Sequence, residues 1–277
     1  MSKPAELICG NYTLNLRRAL VMGIVNVTPD SFSDGGKFFS HDRAIEHGLR
    51  LIEEGADILD IGGESTRPGS LPVSLADELQ RSIPVIEALR DKNIPLSIDT
   101  QKTEVMSAAM KAGASMINDV NALRAEGALA VAAKTGAGVC MMHMLGTPQT
   151  MQQLIDYNDV LSEVTTYLHA RAESAEQAGI GRNRIALDPG FGFGKRTVHN
   201  IALLRGLGKI AALGYPVLAG LSRKSILGDL TGKPAAARDH ASIAAALLAA
   251  QNGASIIRVH DVAATKDALA VLHAVQT

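Results

Sequence analysis

The chain has 277 residues, 47% of them hydrophobic and only 3% aromatic, with a formal net charge of −1. That is enough apolar material for one large core over 1–277, and it excludes the strong basic field that nucleic acid or an anionic membrane would select. The two cysteines, Cys9 and Cys140, show no Cys-x-x-Cys spacing, which excludes a disulfide scaffold and points to a reducing, cytoplasmic setting. No run approaches the ~20 apolar residues of a transmembrane helix, and Met1 to Glu6 leads into nothing resembling a secretory leader.

The segment 7–16 reads as a short hairpin turning at Gly10-Asn11, placed to plug one end of the fold. The segment 20–26 is almost wholly apolar, as a strand covered on both faces requires. It stops at Asn26, and a polar loop follows with Asp30, Phe32, Asp34, Gly35 and Gly36. Alone, this stretch fits an ordinary strand–loop–helix connection as well as it fits the rim of an active site. The same arrangement then repeats. Further buried strands are predicted at 58–62, 96–100, 115–120, 138–143, 185–189, 216–221 and 255–260. Helical spacing links Leu75, Leu79, Ile83, Ile86 and Leu89, and again Leu161, Val164, Leu168, Ala172 and Ala175. Other helices are predicted at 41–54, 102–112, 126–134, 200–213, 241–251 and 262–274. No linker divides the series, so one domain is expected. Eight strands, each followed by a helix, predict an α/β fold of the (β/α)8 TIM-barrel type with a short N-terminal β-hairpin. A doubly wound sheet is the alternative, but no Gly-x-Gly-x-x-Gly follows the first strand.

Polar side chains stand at the C-terminal side of nearly every strand: Asn26, Asp60, Asp99, Asn118 with Asp119, His143, Asp188, Ser222 to Lys224, and Arg258 with His260. In a barrel these form one ring around the catalytic face. For Asp60 and Asp119 a cap on the following helix is the preferred reading. Arg258 and His260, two apart, share a face. They lie beside the helix predicted from 262, where barrels often bind phosphate, so a polyanion site is expected. Pairing of Arg258 with a carboxylate ranks below it. Asp99, Asn118 and Asp188 suit the adjacent N–H donors of an aminopyrimidine; structural ion pairs with Lys224 or Arg258 compete with that reading. The glycine loops 62–69 and 188–195, the latter with Phe191 and Phe193 exposed, suggest a surface for a flat ligand, or loops packing their own aromatics. His143 reads as a core histidine. No zinc pattern occurs. Magnesium needs only one or two protein oxygens, and Asn26 could supply one.

Together the motifs closely resemble dihydropteroate synthases, the folate-synthesis enzymes that sulfonamides inhibit. The matching stretches are Asn26-Val-Thr-Pro-Asp-Ser-Phe-Ser-Asp-Gly-Gly36, Gly63-Glu-Ser-Thr-Arg-Pro-Gly69, Ser97-Ile-Asp-Thr100, Ile117-Asn-Asp-Val120, Met142-His-Met144, Asp188-Pro-Gly-Phe-Gly-Phe-Gly-Lys195, Gly220-Leu-Ser-Arg-Lys-Ser225 and Arg258-Val-His-Asp-Val262. The resemblance implies a homodimeric barrel that joins 6-hydroxymethyl-7,8-dihydropterin pyrophosphate to p-aminobenzoate. Asp99, Asn118, Asp188 and Lys224 would hold the pterin. Asn26, Arg258 and His260, with Mg2+ and help from Thr66, would hold the pyrophosphate. Thr66, Arg67, Pro68, Phe193 and Ser222 would form the p-aminobenzoate pocket, closed by Phe32. Departure of pyrophosphate would be dissociative, SN1-like, with Lys224 and Arg258 in the catalytic machinery. Asp34 would favour the developing cation; an Asx turn is its competing role. A pterin domain of a methyltransferase, a non-catalytic paralogue and an aldolase with Lys224 as Schiff base are the alternatives.

Overall fold

A computed structural model describes residues 4–27, 37–66, 69–153 and 155–276; Phe32, Asp34, Arg67 and Pro68 lie outside them. The hairpin forms as β1 (Glu6–Cys9) and β2 (Tyr12–Asn15), with Gly10 at a positive φ of 57° in the turn. The barrel follows as β3 (Leu20–Asn26), α1 (Lys37–Glu53), β4 (Ile58–Gly62), α2 (Leu75–Leu89), β5 (Leu96–Asp99), α3 (Thr103–Ala112), β6 (Met116–Asp119) and α4 (Ala128–Thr135). It continues through β7 (Gly138–Met142), α5 (Val160–Gln177), β8 (Ile185–Asp188), α6 (Thr197–Arg205), α7 (Leu207–Ala211), β9 (Leu218–Ala219), α8 (Ser225–Thr231), α9 (Asp239–Gln251), β10 (Ile256–Val259) and α10 (Val262–Gln276).

The strands run parallel in the order β8-β7-β6-β5-β4-β3-β10-β9. A bridge from Leu187 to Val217, with the Leu187 N–H donating to the Pro216 carbonyl at 2.9 Å, closes β8 onto the segment entering β9. Closure removes the open edge that a doubly wound sheet would keep. Strand β9 is shorter than predicted because Pro216 has no N–H for the ladder. The helix predicted over 200–213 is two, divided at Gly206, the residue least able to hold a helix interior after proline. Helix α8 was absent from the predicted elements; Gly228 and Gly232 obscure its pattern. Among the described residues no helix is long and apolar enough to cross a membrane.

Strand side chains alternate between two environments. One row, including Val21, Val25, Leu59, Ile61, Ile98, Ile117, Val139, Leu187 and Ile257, packs outward in the core shared with the helices. The other faces inward. Its lower members Leu20, Met22, Ile58, Met116, Cys140, Ala186, Leu218 and Ile256 form a second core with Leu7, Cys9 and Leu16 of the hairpin region. The hairpin therefore plugs the N-terminal end of the barrel. Two residues further along the same inward rows, Ile58 gives way to Asp60, Met116 to Asn118, Ala186 to Asp188 and Ile256 to Arg258. The barrel interior thus changes from apolar to polar within one strand step.

The plug leaves no room at the start of β7. A Cβ on Gly138 would stand 2.4 Å from Cys9 Sγ and 3.0 Å from the Ile8 carbonyl oxygen. Gly138→Ala should lower stability by about 1–3 kcal/mol, the usual cost of overpacking. Urea unfolding will measure it, with turnover per folded molecule expected to stay unchanged.

Candidate active site

Arg258 stands at the centre of the polar end. Its Nε donates to Asp60 Oδ2 at 2.6 Å and its Nη2 to Asp99 Oδ2 at 2.8 Å. Asn118 Nδ2 donates to the same Asp60 oxygen at 3.0 Å. Asp60 is fully buried and caps no helix, contrary to the preferred sequence reading. Arg258 is also committed to carboxylates, the contact ranked second from sequence; about a fifth of its side chain remains exposed. The physical reason for both pairings is the inward register of β4 with β5 and of β10 with β3, which places these rows around one axis. Asp119 does not cap the following helix either, since α4 starts from Gly127 with no side-chain cap, but it acts locally. Its carboxylate accepts from the N–H groups of Asn121 and Leu123 at 2.7 Å each, stabilising a turn in which Ala122 and Leu123 both have φ of 55°.

Burial drives the Asp99 carboxyl up to about 7; Arg258 opposes this, and the negative charge of Asp60 adds to it. Burial also opposes the Arg258 charge, but Asp60 and Asp99 outweigh it and hold the guanidinium protonated. Asp60 Oδ1, Asp99 Oδ1 and Ser97 Oγ are buried with no hydrogen-bond partner among the described residues. Each such atom carries a desolvation cost of about 1–3 kcal/mol.

Asp188 and Lys224 form the opposite side. Asp188 Oδ1 accepts from the Gly190 N–H at 2.7 Å. Burial raises its pKa, and Lys224 is the chief opposing charge. Burial brings the Lys224 ammonium down to about 8, against the pull of Asp188. The ammonium donates to the Phe191 carbonyl and sits 4.6 Å from the centre of the Phe193 ring, in a cation–π position. Phe191 is not exposed as expected; its side chain is fully buried in the main core. Phe193 is half-buried against Val120, Met142, Met144 and Met151. His143 is the core histidine expected, pushed down to about 3 by burial and by the adjacent Lys195.

The rim carries the remaining candidates. Ser222 Oγ and His260 Nδ1 are 2.9 Å apart, and the His260 N–H donates to the same hydroxyl. His260 and half-buried Asn26 line an open cavity of about 580 Å3 with Ile24, Arg43, Glu46, His47 and Arg50. Ala264 N–H is taken by Asp261 Oδ1 at 3.1 Å, so the start of α10 is partly capped by its own chain. Thr66 ends the described part of the loop after β4 and is half-buried. Three residues that sequence reading missed anchor that loop. Lys102 Nζ donates to Glu64 Oε2 at 2.6 Å and Glu78 Oε2 at 2.5 Å, while Glu64 Oε1 accepts from the Val73 N–H at 2.9 Å. The inward step from Ile58 could have marked Asp60. Nothing in the local sequence pairs Glu64 with Lys102.

Among the described residues no group of three or more His, Cys, Asp or Glu could hold a metal. An ion held mainly by ligand oxygens and water fits better, since Asn26 offers one amide oxygen beside the cavity.

The Asp99 carboxyl gives a pH test. An unfolded aspartate ionises near 4, whereas folded Asp99 keeps its proton up to about 7. In that window the folded state holds the extra proton, so the contribution to stability is full below about 4 and declines as pH rises to about 7. Asp99→Asn should abolish this part of the slope. Urea unfolding at several pH values should show the wild type losing more stability than the variant between pH 4.5 and 7.

The pterin binding enzyme family model matches residues 22–260. The dihydropteroate synthase of Escherichia coli (strain K12) is 47% identical over 270 residues, covering 97% of this chain and 96% of that one. The dihydropteroate synthase of Xanthomonas albilineans, solved with 4-aminobenzoic acid, is 54% identical with a TM-score of 0.94, over 100% of this chain and 99% of that one. That of Burkholderia cenocepacia, solved with 7,8-dihydropteroate, is 51% identical with a TM-score of 0.91, over 100% and 98%. Agreement of sequence and fold along almost the whole length sets aside the methyltransferase-domain and aldolase readings. A closed barrel with an apolar plug at one end and paired charges at the other, joined to these likenesses, places the chain in the pterin-binding enzyme family as a dihydropteroate synthase.

Proposed function

We propose that the chain joins 6-hydroxymethyl-7,8-dihydropterin pyrophosphate to p-aminobenzoate, giving 7,8-dihydropteroate and pyrophosphate. The observation that carries this reading is the pair of buried acceptors without donors, Asp60 Oδ1 and Asp99 Oδ1, beside Asn118 and Arg258. An aminopyrimidine edge supplies the adjacent N–H groups they lack. The 4-aminobenzoic acid and 7,8-dihydropteroate bound in the two relatives support the same pair of substrates.

Asp99, Asn118 and Asp188 hold the pterin, and Lys224 lies over its far side, with Phe193 below the ammonium. His260, Asn26 and the exposed part of Arg258 receive the pyrophosphate, with Thr66 at the rim. Thr66, Phe193 and Ser222, together with Arg67, Pro68 and Phe32, form the p-aminobenzoate pocket. An arylamine is a modest nucleophile, whereas the electron-rich pterin can spread positive charge. The C–O bond to pyrophosphate therefore breaks first, its electron pair leaving with the phosphate. The amine nitrogen then bonds to the methylene carbon and gives up a proton. The cationic side chains neutralise charge on the departing group, and the pocket positions the amine beside the methylene carbon. When bound near Asn26, Mg2+ would add further charge neutralisation to the leaving group. The active protein is proposed to be a cytoplasmic homodimer, which sedimentation would test.

Incubating both substrates with Mg2+ and measuring dihydropteroate and released pyrophosphate tests the reaction directly; neither product would refute it. Arg258 also neutralises Asp60 and Asp99, so His260 is the cleaner probe of the leaving-group site. His260→Ala should weaken binding of the pterin pyrophosphate by roughly 10- to 100-fold, a charge-assisted contact of about 1.5–3 kcal/mol. Affinity for the free hydroxymethyl pterin should barely change in calorimetry. Asp34→Asn, which keeps the turn-forming shape, should cut kcat by at least ~10-fold, about 1.4 kcal/mol of barrier, while the dissociation constant stays near wild type. Wild-type turnover in that variant would leave Asp34 only its Asx turn.

A further inference from the structure

Lys195 has no part in the chemistry above, yet it is 3% exposed and carries an ammonium group into the protein. Its three N–H groups are shared among four acceptors: the carbonyls of Phe193 (2.9 Å), Gly190 (3.0 Å) and His143 (3.2 Å) and His143 Nδ1 (2.9 Å). All four acceptors are neutral. Burial pushes the ammonium down to about 7 against the pull of nearby Asp188, and a methionine would fill the space without that cost. What an ammonium adds is three donors at one point, which can gather several carbonyls.

The gathered carbonyls belong to a loop that needs such a tie. Gly190, Gly192 and Gly194 have φ of 68°, 83° and 62°, and a Cβ on Gly190 would stand 2.0 Å from the His143 carbonyl oxygen. The loop is therefore pressed against the tip of β7 in a backbone conformation that glycine permits but does not enforce. The same few residues hold Lys224. The Phe191 carbonyl accepts from its ammonium, and the Phe193 ring lies beneath it. Lys195 and Lys224 thus grip one short segment from opposite sides.

We propose that Lys195 is a positioning residue that acts through Lys224: by knotting the carbonyls of Gly190, Phe193 and His143, it sets the Phe191 carbonyl and the Phe193 ring where they hold the Lys224 ammonium over the pterin. The inference rests on the reading that Lys224 contacts the pterin. It differs from a packing role because its effect passes through one named side chain.

A double-mutant cycle read by calorimetry tests it, using free 6-hydroxymethyl-7,8-dihydropterin as the probe. Lys195→Met should weaken binding about tenfold or more when Lys224 is present. In the Lys224→Met background the same change should cost less than about threefold, because the group it positions is gone. The melting temperature should fall alike in both backgrounds. An equal loss of affinity in the two backgrounds, or no loss in either, overturns the proposal and leaves Lys195 a packing residue. Lys195→Gln, which keeps two donors, carries the cycle where the methionine variant does not fold. Failure of both variants to fold would make Lys195 a folding determinant and also overturn it. Wild-type protein that does not bind the pterin refutes the proposed function itself and takes this inference with it; that failure is visible before any variant is made.

Discussion

The polar end of the barrel depends on one guanidinium shared by two buried carboxylates. Arg258 reaches from β10 to Asp60 on β4 and Asp99 on β5, with β3 between. Without the cation, two acids would face each other away from water. Breaking such a buried arrangement by removing one partner typically costs 3–5 kcal/mol. Burial keeps the Asp99 carboxyl up at about 7 despite Arg258, and among the described residues one oxygen on each acid has no donor. The site is therefore stable but incompletely satisfied, and a ligand bringing N–H donors completes it. The stabilising ion pair and the recognition of ligand are one arrangement.

That arrangement is possible because the opposite end of the interior needs nothing polar. The hairpin brings Leu7, Cys9 and Leu16 under the lower strand residues, so the apolar half of the barrel closes on itself. Hydrophobic burial there and in the outer helix–strand core provides the main favourable term of folding. The upper half can then carry unsatisfied groups at a cost of a few kcal/mol. The loops above it are tied down unequally. Glu64, Lys102 and Glu78 fix the base of the loop that leads to Thr66. Lys195 fixes the glycine loop beneath Lys224. Rigid supports of this kind hold first contacts to within the tolerance that positioning of reactants requires.

The charges at this end are graded. Asp99 and Asp188 face inward and accept hydrogen bonds, Asn118 donates to Asp60, Lys224 bonds the glycine loop, and His260 lies at the rim with Asn26. On the proposed reading, a ligand with an N–H-rich ring and an anionic tail lies ring inward and tail outward, its leaving group toward the rim that carries Asn26 and His260.

How much of this was legible in the sequence follows from period and spacing. Apolar runs ending on polar residues gave the eight strands, and the inward positions of Asp99, Asn118, Asp188 and Arg258 follow from counting by two along each strand. The motif set resembles one family along the whole chain. The hairpin, too, announced itself through Gly10-Asn11 and its flanking alternation. The sequence by itself therefore determined the architecture and which residues ring its open end, because strand alternation and turn chemistry are local properties of the chain. The tertiary structure alone decided who pairs with whom. Asp60 bonds Arg258, 198 positions away, rather than capping a helix; Phe191 turns into the core while Phe193 stays at the pocket; Lys195 gathers carbonyls from two strand tips. Such choices depend on barrel closure and on the scarcity of positive charge inside it, and closure is a property of the whole chain that no local window contains.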